Sequence, residues 1–243
     1  MKGPAQSDGP MVFVGAAAFD AQRVEIDDGD RHHLERVLRL RAGERMVLCD
    51  GRGRWRGARF GPDIEVDGEV VVTHPPTPTL AVGFALLKGD RNELVTQKLT
   101  ELGVDRIIPM STEHCVVRWD GAKAIRHHER LTKVAREASM QCRRTHLPTV
   151  ESLTPYAAIA NAASATMGVA RADIGGGAPG LALHTILVGP EGGWSPVERD
   201  NDLPTIALGA HVLRAETAAI VAGTLLTAVR IGLLDSRTPA PEM

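Results

Sequence analysis

The sequence has few aromatic residues and few cysteines. Only eight of its 243 residues are Phe, Tyr or Trp, so a nucleic-acid site that stacks bases on several exposed rings has few rings to use. The three cysteines, Cys49, Cys115 and Cys142, form no Cys-x-x-Cys pair and leave one thiol unpaired in any disulfide scheme. This pattern excludes a disulfide framework and predicts a protein of the reducing cytoplasm.

Long apolar runs are missing as well. Segment 1–15 has no apolar core of the length of a secretory signal, and glycines and prolines interrupt it. The longest apolar stretch, 217–234, is shorter than the roughly 20 residues of a membrane-spanning helix and contains Arg230. With 43% hydrophobic and 24% charged residues, the composition is typical of a soluble globular protein, and we expect no membrane partner.

Charge is distributed unevenly, although the formal net charge is only −2. Nine arginines between Arg31 and Arg59 face three acidic residues, a local balance of +6. Arginine suits phosphate and base edges, and a clustered basic segment attracts nucleic acid. Arginine also outnumbers lysine by 23 to 5 in the whole chain, which a codon preference explains equally well. The cluster, and not the ratio, therefore indicates a nucleic-acid contact.

The first third of the chain has the pattern of short strands and turns. Several runs between residues 11 and 73 alternate apolar and polar residues or are short and apolar. Asp50-Gly51 and Asp67-Gly68 are typical of hairpin turns. Many strands in about 60 residues predict a small β-barrel over 1–73. The proline-rich segment 74–79 is then a linker.

One helix is expected to interrupt these strands. Its N-cap would be Asp28 or Asp30, since a carboxylate at that position accepts a hydrogen bond from the first helical turn. Leu34, Val37 and Leu38 would form the apolar stripe that packs on the core.

Beyond the linker, strands and helices alternate, which predicts an α/β domain with a mostly parallel sheet over 80–243. The near-continuous apolar run 80–87 is typical of a strand buried on both faces. The glycine-rich segment 175–180 lies between strand candidates and is expected to be a flexible loop. No helix with the Lys-Ser/Thr of a P-loop follows it, so it is not expected to bind phosphate. Further strands are expected at 104–110, 165–170, 185–189 and 205–209.

Three helices are expected in this second domain. The first would be capped by Asp90, carry Leu94, Leu99 and Leu102 on its apolar face, and end at Gly103. The other two are expected at 122–142 and 216–234.

Two loops carry the residues of most chemical interest. GPEGGWSPVE (189–198) follows a strand, and its glycines allow main-chain groups to approach a flat ligand closely. Ser195, Pro196 and Glu198 form a capping box with proline at the first helical position, although an ordinary strand-to-helix turn has the same residues. The second loop, LGAHVLRAETAA (208–219), leads into the last helix.

Four segments together closely resemble one family, the RsmE small-subunit ribosomal RNA methyltransferases, which make 3-methyluridine. The segments occur in the family's order and cover nearly the whole chain. The resemblance implies an N-terminal PUA-like β-barrel that binds RNA and a C-terminal SPOUT α/β domain. It also implies a deep trefoil knot that holds S-adenosylmethionine, usually in a homodimer. The segments are HHLERVLRLRAGERMVLCDGRG, KGDRNELVTQKLTELGVDRIIPM, LVGPEGGWSPVE and LGAHVLRAETAA.

The resemblance implies a set of cofactor-binding residues that act largely through main-chain groups. These are Leu187, Val188, Gly189, Glu191, Gly192, Gly193, Leu208, Gly209, Val212, Leu213, Arg214 and Thr217. The residues expected to contact RNA are Arg36, Arg39, Arg41, Lys88, Arg91, Gln141 and Arg144, although Lys88 and Arg91 fit an ordinary solvated helix face equally well. The sequence departs from the family pattern at Cys142, where Ser is usual, and at His211, where Arg is frequent.

The implied reaction is methylation of the imide nitrogen, N3, of one uridine in 16S ribosomal RNA, free or in the small subunit. That nitrogen is protonated at neutral pH, so the site must remove the proton or stabilise the anion. Arg214 is expected to stabilise the anion, with Glu191 or Glu216 as candidate bases, although both carboxylates fit structural roles. Two alternatives remain open: a methyltransferase for ribose or guanine on the same scaffold, and a non-catalytic RNA-binding assembly factor.

No metal is expected in this reaction. The adjacent pairs His32-His33 and His127-His128 cannot face one metal ion from one side of a helix.

Overall fold

The computed structural model describes residues 3–21, 23–163 and 168–235. The chain divides into two compact units, one of 1–75 and 136–147, the other of 76–135 and 148–243. This differs from the expected division in one respect, because residues 136–147 belong to the first unit.

The contacts of residues 136–147 give the physical reason for this correction. The guanidinium of Arg136 donates to the Asp30 carboxylate and to the main-chain oxygen of Phe13, both at 3.0 Å. The main-chain oxygen of Thr145 accepts hydrogen bonds from the Gly53 N–H at 3.0 Å and from the Cys49 thiol at 3.4 Å. Such long-range contacts leave no local signal within a continuous helix pattern, so the sequence did not indicate them.

The first unit contains a mostly antiparallel sheet of six strands. Its order is β1-β3-β4-β5-β2, with β6 paired to β4, and only β1 and β3 run parallel. The strand-rich first unit agrees with the expectation, while closure of the sheet into a barrel stays a prediction. The strands are β1 (Met11–Phe13), β2 (Arg23–Val24), β3 (Arg45–Cys49), β4 (Arg54–Arg59), β5 (Ile64–Val66) and β6 (Val71–Val72).

One of the two expected hairpin turns is present. Asp50-Gly51 begins the turn between β3 and β4, which pair antiparallel. Asp67-Gly68 does not join two paired strands, because β5 and β6 both pair with β4. The Asp67 N–H donates to the main-chain oxygen of Gly57 in β4 at 2.9 Å. The segment is therefore a bend between two strands that both pair with β4.

The expected helix of the first unit has a different cap and a different face. Asp27, and neither Asp28 nor Asp30, is the N-cap; its carboxylate accepts from the Asp30 N–H at 2.8 Å. The helix passes into a π-helical turn, which rotates the following residues away from the expected stripe. Leu34 is buried, but Val37 and Leu38 are 62% and 48% exposed. The helices of this region are α1 (Ala16–Phe19), which was not expected, and α2 (Asp28–His32), followed by the π-helical turn His33–Val37.

The second unit contains a parallel sheet of seven strands, which confirms the expected α/β class. Its order is β10-β8-β7-β12-β11-β13, with β9 paired to β8, and every pair is parallel. The trefoil knot stays a prediction. The strands are β7 (Ala81–Ala85), β8 (Arg106–Ser111), β9 (Thr149–Val150), β10 (Thr154–Pro155), β11 (Val169–Gly177), β12 (Thr185–Val188) and β13 (Thr205–Ile206).

The glycine-rich segment expected as a loop is partly a strand. β11 extends to Gly177, and residues 165–167 of the expected strand lie outside the described residues. A Cβ on Gly176 would lie 2.5 Å from main-chain atoms of Ile206, so glycine permits the close approach of β13. Glycine in this run therefore serves the packing of β11 against β13 as well as the conformation of the main chain.

The helices of the second unit pack on a core centred on β7, whose five residues are all buried. Helix α7 comes close to α3 at Gly223, where a Cβ would lie 2.6 Å from Cδ2 of Leu99. Among the described residues, no helix is both long and apolar enough to cross a membrane. The helices are α3 (Arg91–Leu102), α4 (Gly121–Cys142), of which residues 136–142 belong to the first unit, α5 (Tyr156–Ala163), α6 (Pro196–Arg199) and α7 (Ala215–Arg230).

Helix α3 matches its expected ends but not its expected face. Gly103 is the left-handed C-cap, as expected. Asp90 occupies the N-cap position, but its side chain makes no capping hydrogen bond. Leu99 is fully buried, whereas Leu94 is 41% exposed and does not belong to the core.

The two leucines of α3 give a matched test of the core. We expect Leu99→Ala to lower the free energy of unfolding by about 2–5 kcal/mol, because it removes buried methyl groups and leaves a cavity. Leu94→Ala should change it by less than about 0.5 kcal/mol, since Leu94 is exposed and lies outside the buried core. Urea denaturation of both variants measures the difference. Equal losses would show that Leu94 packs in the core after all.

Candidate functional site

The carboxyl ends of the parallel strands form the edge at which the two loops of interest meet. β12 ends at Val188 and β13 at Ile206, and loops 189–195 and 207–214 follow them directly. In open α/β sheets, ligands bind in the crevice at this edge. A cleft of about 180 Å³ lies here, within the second unit.

Most of the expected cofactor residues line this cleft. Leu187 does not line it, because its side chain is buried in an apolar cluster beside β8. Gly192 does not line it either, since a Cβ there would face His114 at 3.2 Å. Arg214 and Thr217 are exposed at the start of α7. The expected residues that do line the cleft are Val188, Gly189, Glu191, Gly193, Leu208, Gly209, Val212 and Leu213.

The cleft also has walls that the sequence did not indicate. The Trp194 ring is buried, and its Nε1–H donates to the main-chain oxygen of Ala172 at 3.0 Å. Trp194 lies in loop 189–198, so the sequence could have indicated its ring as a wall of the ligand site. No such indication exists for the β11 residues, because the expected strand ended at 170. The additional lining residues are Ala172, Asp173, Ile174, Pro190, Trp194, Arg199, His211, Ala215 and Ala218.

The predicted capping box is confirmed, and it reaches further than its own helix. The Ser195 hydroxyl accepts from the Glu198 N–H at 3.1 Å, and the Ser195 N–H donates to Oε2 of Glu198 at 3.0 Å. The other carboxylate oxygen, Oε1, accepts from the N–H of Glu113 at 2.9 Å. Glu113 lies just beyond β8, so one buried carboxylate ties the start of α6 to the end of a strand that β7 separates from β12 in the sheet.

Arg91 brings the two candidate bases together. Its Nη1 lies 3.0 Å from a carboxylate oxygen of Glu191 and 3.7 Å from one of Glu216. Glu191 belongs to the first loop and Glu216 to the first turn of α7, so this arginine links both segments of the cleft. The residue expected to contact RNA is thus paired with both residues expected to act as bases.

Arg214 has a different environment. It occupies the N-cap position of α7, with an extended backbone and an exposed side chain. Within 3–21, 23–163 and 168–235, its guanidinium forms no ion pair, so its charge remains available to a ligand.

The residues expected to contact RNA are divided between the two units. Lys88 and Arg91 belong to the second unit, and the other five belong to the first. Arg36, Arg39 and Arg41 are exposed. Gln141 is exposed too, whereas the Arg144 side chain is partly buried and its Nε–H donates to the main-chain oxygen of His146 at 2.7 Å.

Part of the arginine cluster has a structural role within the first unit. Arg54 pairs with Asp20, and Arg59 pairs with Asp67 at 2.9 Å. The Arg56 guanidinium donates to main-chain oxygens, including that of Ala21 at 2.7 Å. These arginines make contacts within the first unit, whereas those near residue 40 remain exposed to a partner.

The histidines of the pair His127-His128 make contacts within the protein. The ring of His127 stacks on Trp119 with centroids 4.1 Å apart, and burial lowers the pKa of His127. His128 bonds through Nε2 to the main-chain oxygen of Val150 at 2.9 Å. In the part of the chain that the structure describes, no group of three or more His, Cys, Asp or Glu side chains is placed to hold a metal ion.

Comparison with known proteins identifies the family. An RNA methyltransferase domain model matches residues 74–227, and an RNA methyltransferase PUA domain model matches residues 26–62. The ribosomal RNA small subunit methyltransferase E of Mycobacterium tuberculosis is 32% identical over 259 aligned positions, covering 95% of this chain and 94% of that protein. The chain belongs to the ribosomal RNA small subunit methyltransferase E family. The member from Bacillus subtilis is 28% identical and covers 84% of this chain and 89% of its own length.

Two solved structures have a similar fold. The methyltransferase E of Neisseria gonorrhoeae, solved with bound S-adenosyl methionine, has a TM-score of 0.80 at 26% identity. The match covers 90% of this chain and 97% of that one. A protein from Legionella pneumophila, solved with the bound cofactor SAM, has a TM-score of 0.78 at 26% identity, with 90% and 96% covered.

The anchoring role of Glu198 gives a test of the site's framework. We expect Glu198→Gln to lower the free energy of unfolding by about 1–3 kcal/mol, because an amide NH₂ would replace one of two acceptor oxygens that face main-chain N–H groups. Glu191→Gln is the matched control and should cost less than about 1 kcal/mol, since its ion pair is exposed. Thermal unfolding of both variants measures the two losses. Similar losses of stability in both variants would contradict the anchoring role of Glu198.

Proposed function

We propose that this methyltransferase transfers the methyl group of S-adenosylmethionine to N3 of a specific uridine in 16S ribosomal RNA. The observation that carries the proposal is the cleft at the carboxyl edge of the sheet. Eight of the twelve residues that the family resemblance assigns to the cofactor line it. Membership of the family and the cofactor in solved relatives support the same proposal.

The residues of the cleft fit S-adenosylmethionine. Gly193 and Gly209 leave main-chain groups accessible, and apolar side chains from both loops provide walls for a flat base. Gly189 instead makes room for the Trp194 ring, which a Cβ would approach to 2.8 Å. Asp173 and Arg199 line the same cleft with opposite charges 4.0 Å apart, which complement the ammonium and carboxylate groups of an amino acid. When bound, this cofactor supplies a methyl group already activated by its sulfonium.

The chain's own task is to orient the uracil and favour its N3 anion. We propose that Arg214 stabilises the negative charge that spreads onto a uracil carbonyl oxygen as the proton leaves, since its guanidinium is exposed and forms no ion pair among the described residues. Glu191 and Glu216 are then structural, because both carboxylates face Arg91. Their role is to hold the first loop and the start of α7 together through Arg91.

Arg214 gives the test of the chemical step. We expect Arg214→Ala to lower the single-turnover rate of methylation about 100-fold, the effect of losing one preorganised stabilising donor. The remaining rate should rise with pH, because solvent must then generate the anion. Arg214→Lys keeps the charge and should recover part of the rate. A normal rate in the alanine variant, or a loss explained entirely by cofactor affinity in calorimetry, would contradict this role.

The exposed arginines of the first unit are proposed to bind the phosphates of the RNA. We expect the double variant Arg39→Glu/Arg41→Glu to bind RNA more weakly and with a flatter salt dependence, because each lost phosphate contact lowers the slope by about 1. Lys123→Glu/Arg126→Glu, which changes the net charge equally on an exposed face of α4, is the control and should keep the slope. Affinities measured from low to moderate salt decide the question. Equal slopes in the two variants would rule out a specific phosphate site.

We also propose a cytoplasmic two-fold homodimer. The chain just after α7 exposes Ile231, Leu233 and Leu234, which are apolar and close together in sequence. An isologous pairing of two such surfaces would remove them from water.

A further inference from the structure

A second cavity, larger than the cleft, lies at the same edge of the second unit's sheet. Its volume is about 640 Å³, compared with about 180 Å³ for the cleft. Leu86 and Thr112 follow β7 and β8 and line it, together with Tyr156 and Ala157 of α5. The two cavities have no lining residue in common. The second cavity is therefore separate from the cleft.

One segment separates the two cavities. Trp194 and Arg199 line the cleft, while Val197 and Glu198 line the second cavity. The short helix α6 with its capping residue thus forms a wall of both. Its position is fixed by the hydrogen bonds of Glu198, which bind it to the ends of β8 and α5. A ligand in the second cavity would be separated from the cleft only by this segment.

The floor of the second cavity is apolar, with one unsatisfied polar group. Leu86, Trp119 and Tyr156 are buried lining residues. Thr112 also lines the cavity and is only 4% exposed, and its hydroxyl has no hydrogen-bond partner among the described residues. A buried hydroxyl without a partner is unfavourable. Because its oxygen has almost no accessible surface, a ligand edge pairs with it only when the Thr112 side chain rotates towards the cavity.

The charges at the rim indicate a neutral ligand. The guanidinium of Arg118 is held at 3.2 Å by the main-chain oxygens of Thr112 and Glu113. The exposed carboxylates of Glu113 and Asp200 line the same cavity, so the rim has no excess of positive charge to bind a phosphate. An apolar floor with hydroxyl and amide groups suits a flat, uncharged ring with a hydrogen-bonding edge.

We propose that the second cavity binds an unpaired nucleobase of the substrate RNA, a neighbour of the uridine that receives the methyl group. This inference rests on the proposed function, which makes a folded RNA the substrate. Proteins recognise RNA sequence mainly at unpaired bases, which they hold by stacking and by hydrogen bonds to base edges. The cavity then selects the modified site by its neighbour, and the cleft performs the reaction.

Two adjacent alanines of α5 provide a matched pair of variants. Ala157 lines the cavity, whereas Ala158 does not, and both side chains are exposed, so tryptophan at either position leaves the core intact. With unmodified small ribosomal subunits as substrate, we expect Ala157→Trp to lower kcat/KM about 10-fold or more, the scale of one lost base contact. Ala158→Trp should stay within about twofold of the wild type. Cofactor affinity should be unchanged in both.

A hydroxyl variant tests the recognition chemistry. Thr112→Val removes the unpartnered hydroxyl and keeps the shape of the side chain, so it should not lower the thermal stability of the protein. We expect it to weaken RNA binding several-fold. Unchanged RNA affinity would overturn the role of this hydroxyl in base recognition.

Crosslinking identifies the occupant directly. With 16S RNA containing 4-thiouridine, we expect crosslinks to peptides 111–119 or 153–161 in the wild type and in Ala158→Trp, but not in Ala157→Trp. Crosslinks confined to other peptides, or equal kcat/KM in the two tryptophan variants, would overturn the proposal. So would a change of mass in light scattering for Ala157→Trp alone, which would assign the cavity to a second copy of the chain. Cavity crosslinks without N3 methylation by the wild type would refute the proposed function and leave base binding supported.

Discussion

The framework of the site depends on the hydrogen bonds of Glu198, whose carboxylate is buried. Its two oxygens accept main-chain N–H groups from Ser195 and Glu113, and its main-chain oxygen accepts from the Tyr156 hydroxyl at 3.0 Å and from Arg171 at 2.8 Å. These donors come from the loop after β12, the end of β8, the start of α5 and strand β11. A buried carboxylate is stable only when such donors surround it, so this cluster fixes the wall between the two cavities.

Local chemistry explains why part of this framework was predictable from the sequence. The capping box of Ser195 and Glu198 depends on residues three positions apart, and the left-handed Gly103 depends on the helix that precedes it. The hydrogen bond from Glu113 to Glu198 joins residues 85 positions apart, so no local sequence pattern indicates it. The same holds for the placement of residues 136–147 in the first unit.

The errors in the helices have a related cause. Periodicity assumes a regular α-helix, and the π-helical turn after His32 breaks that assumption, so Val37 and Leu38 leave the core face. Leu94 follows the regular period of α3 but is exposed, because the packing partners of a helix and not its own pattern decide how wide the buried face is. In the site, the sequence pattern did not indicate that Ala172 and Asp173 line the cleft, because β11 extends beyond its apolar run.

The shared wall has a thermodynamic consequence for the proposed reaction. The cleft and the second cavity are both bounded by α6, so a ligand that orders this helix from one side also orders it for a ligand on the other side. If RNA strengthens cofactor binding by some factor, the cofactor must strengthen RNA binding by the same factor, because the coupling free energy is reciprocal. The capping box and its hydrogen bond to Glu113 already hold α6 in place, which keeps the ordering cost small and limits the size of that coupling. Under the proposed function, selection of the modified uridine would then depend mainly on direct contacts in the second cavity and on the arginines near residue 40, and less on movement of the wall.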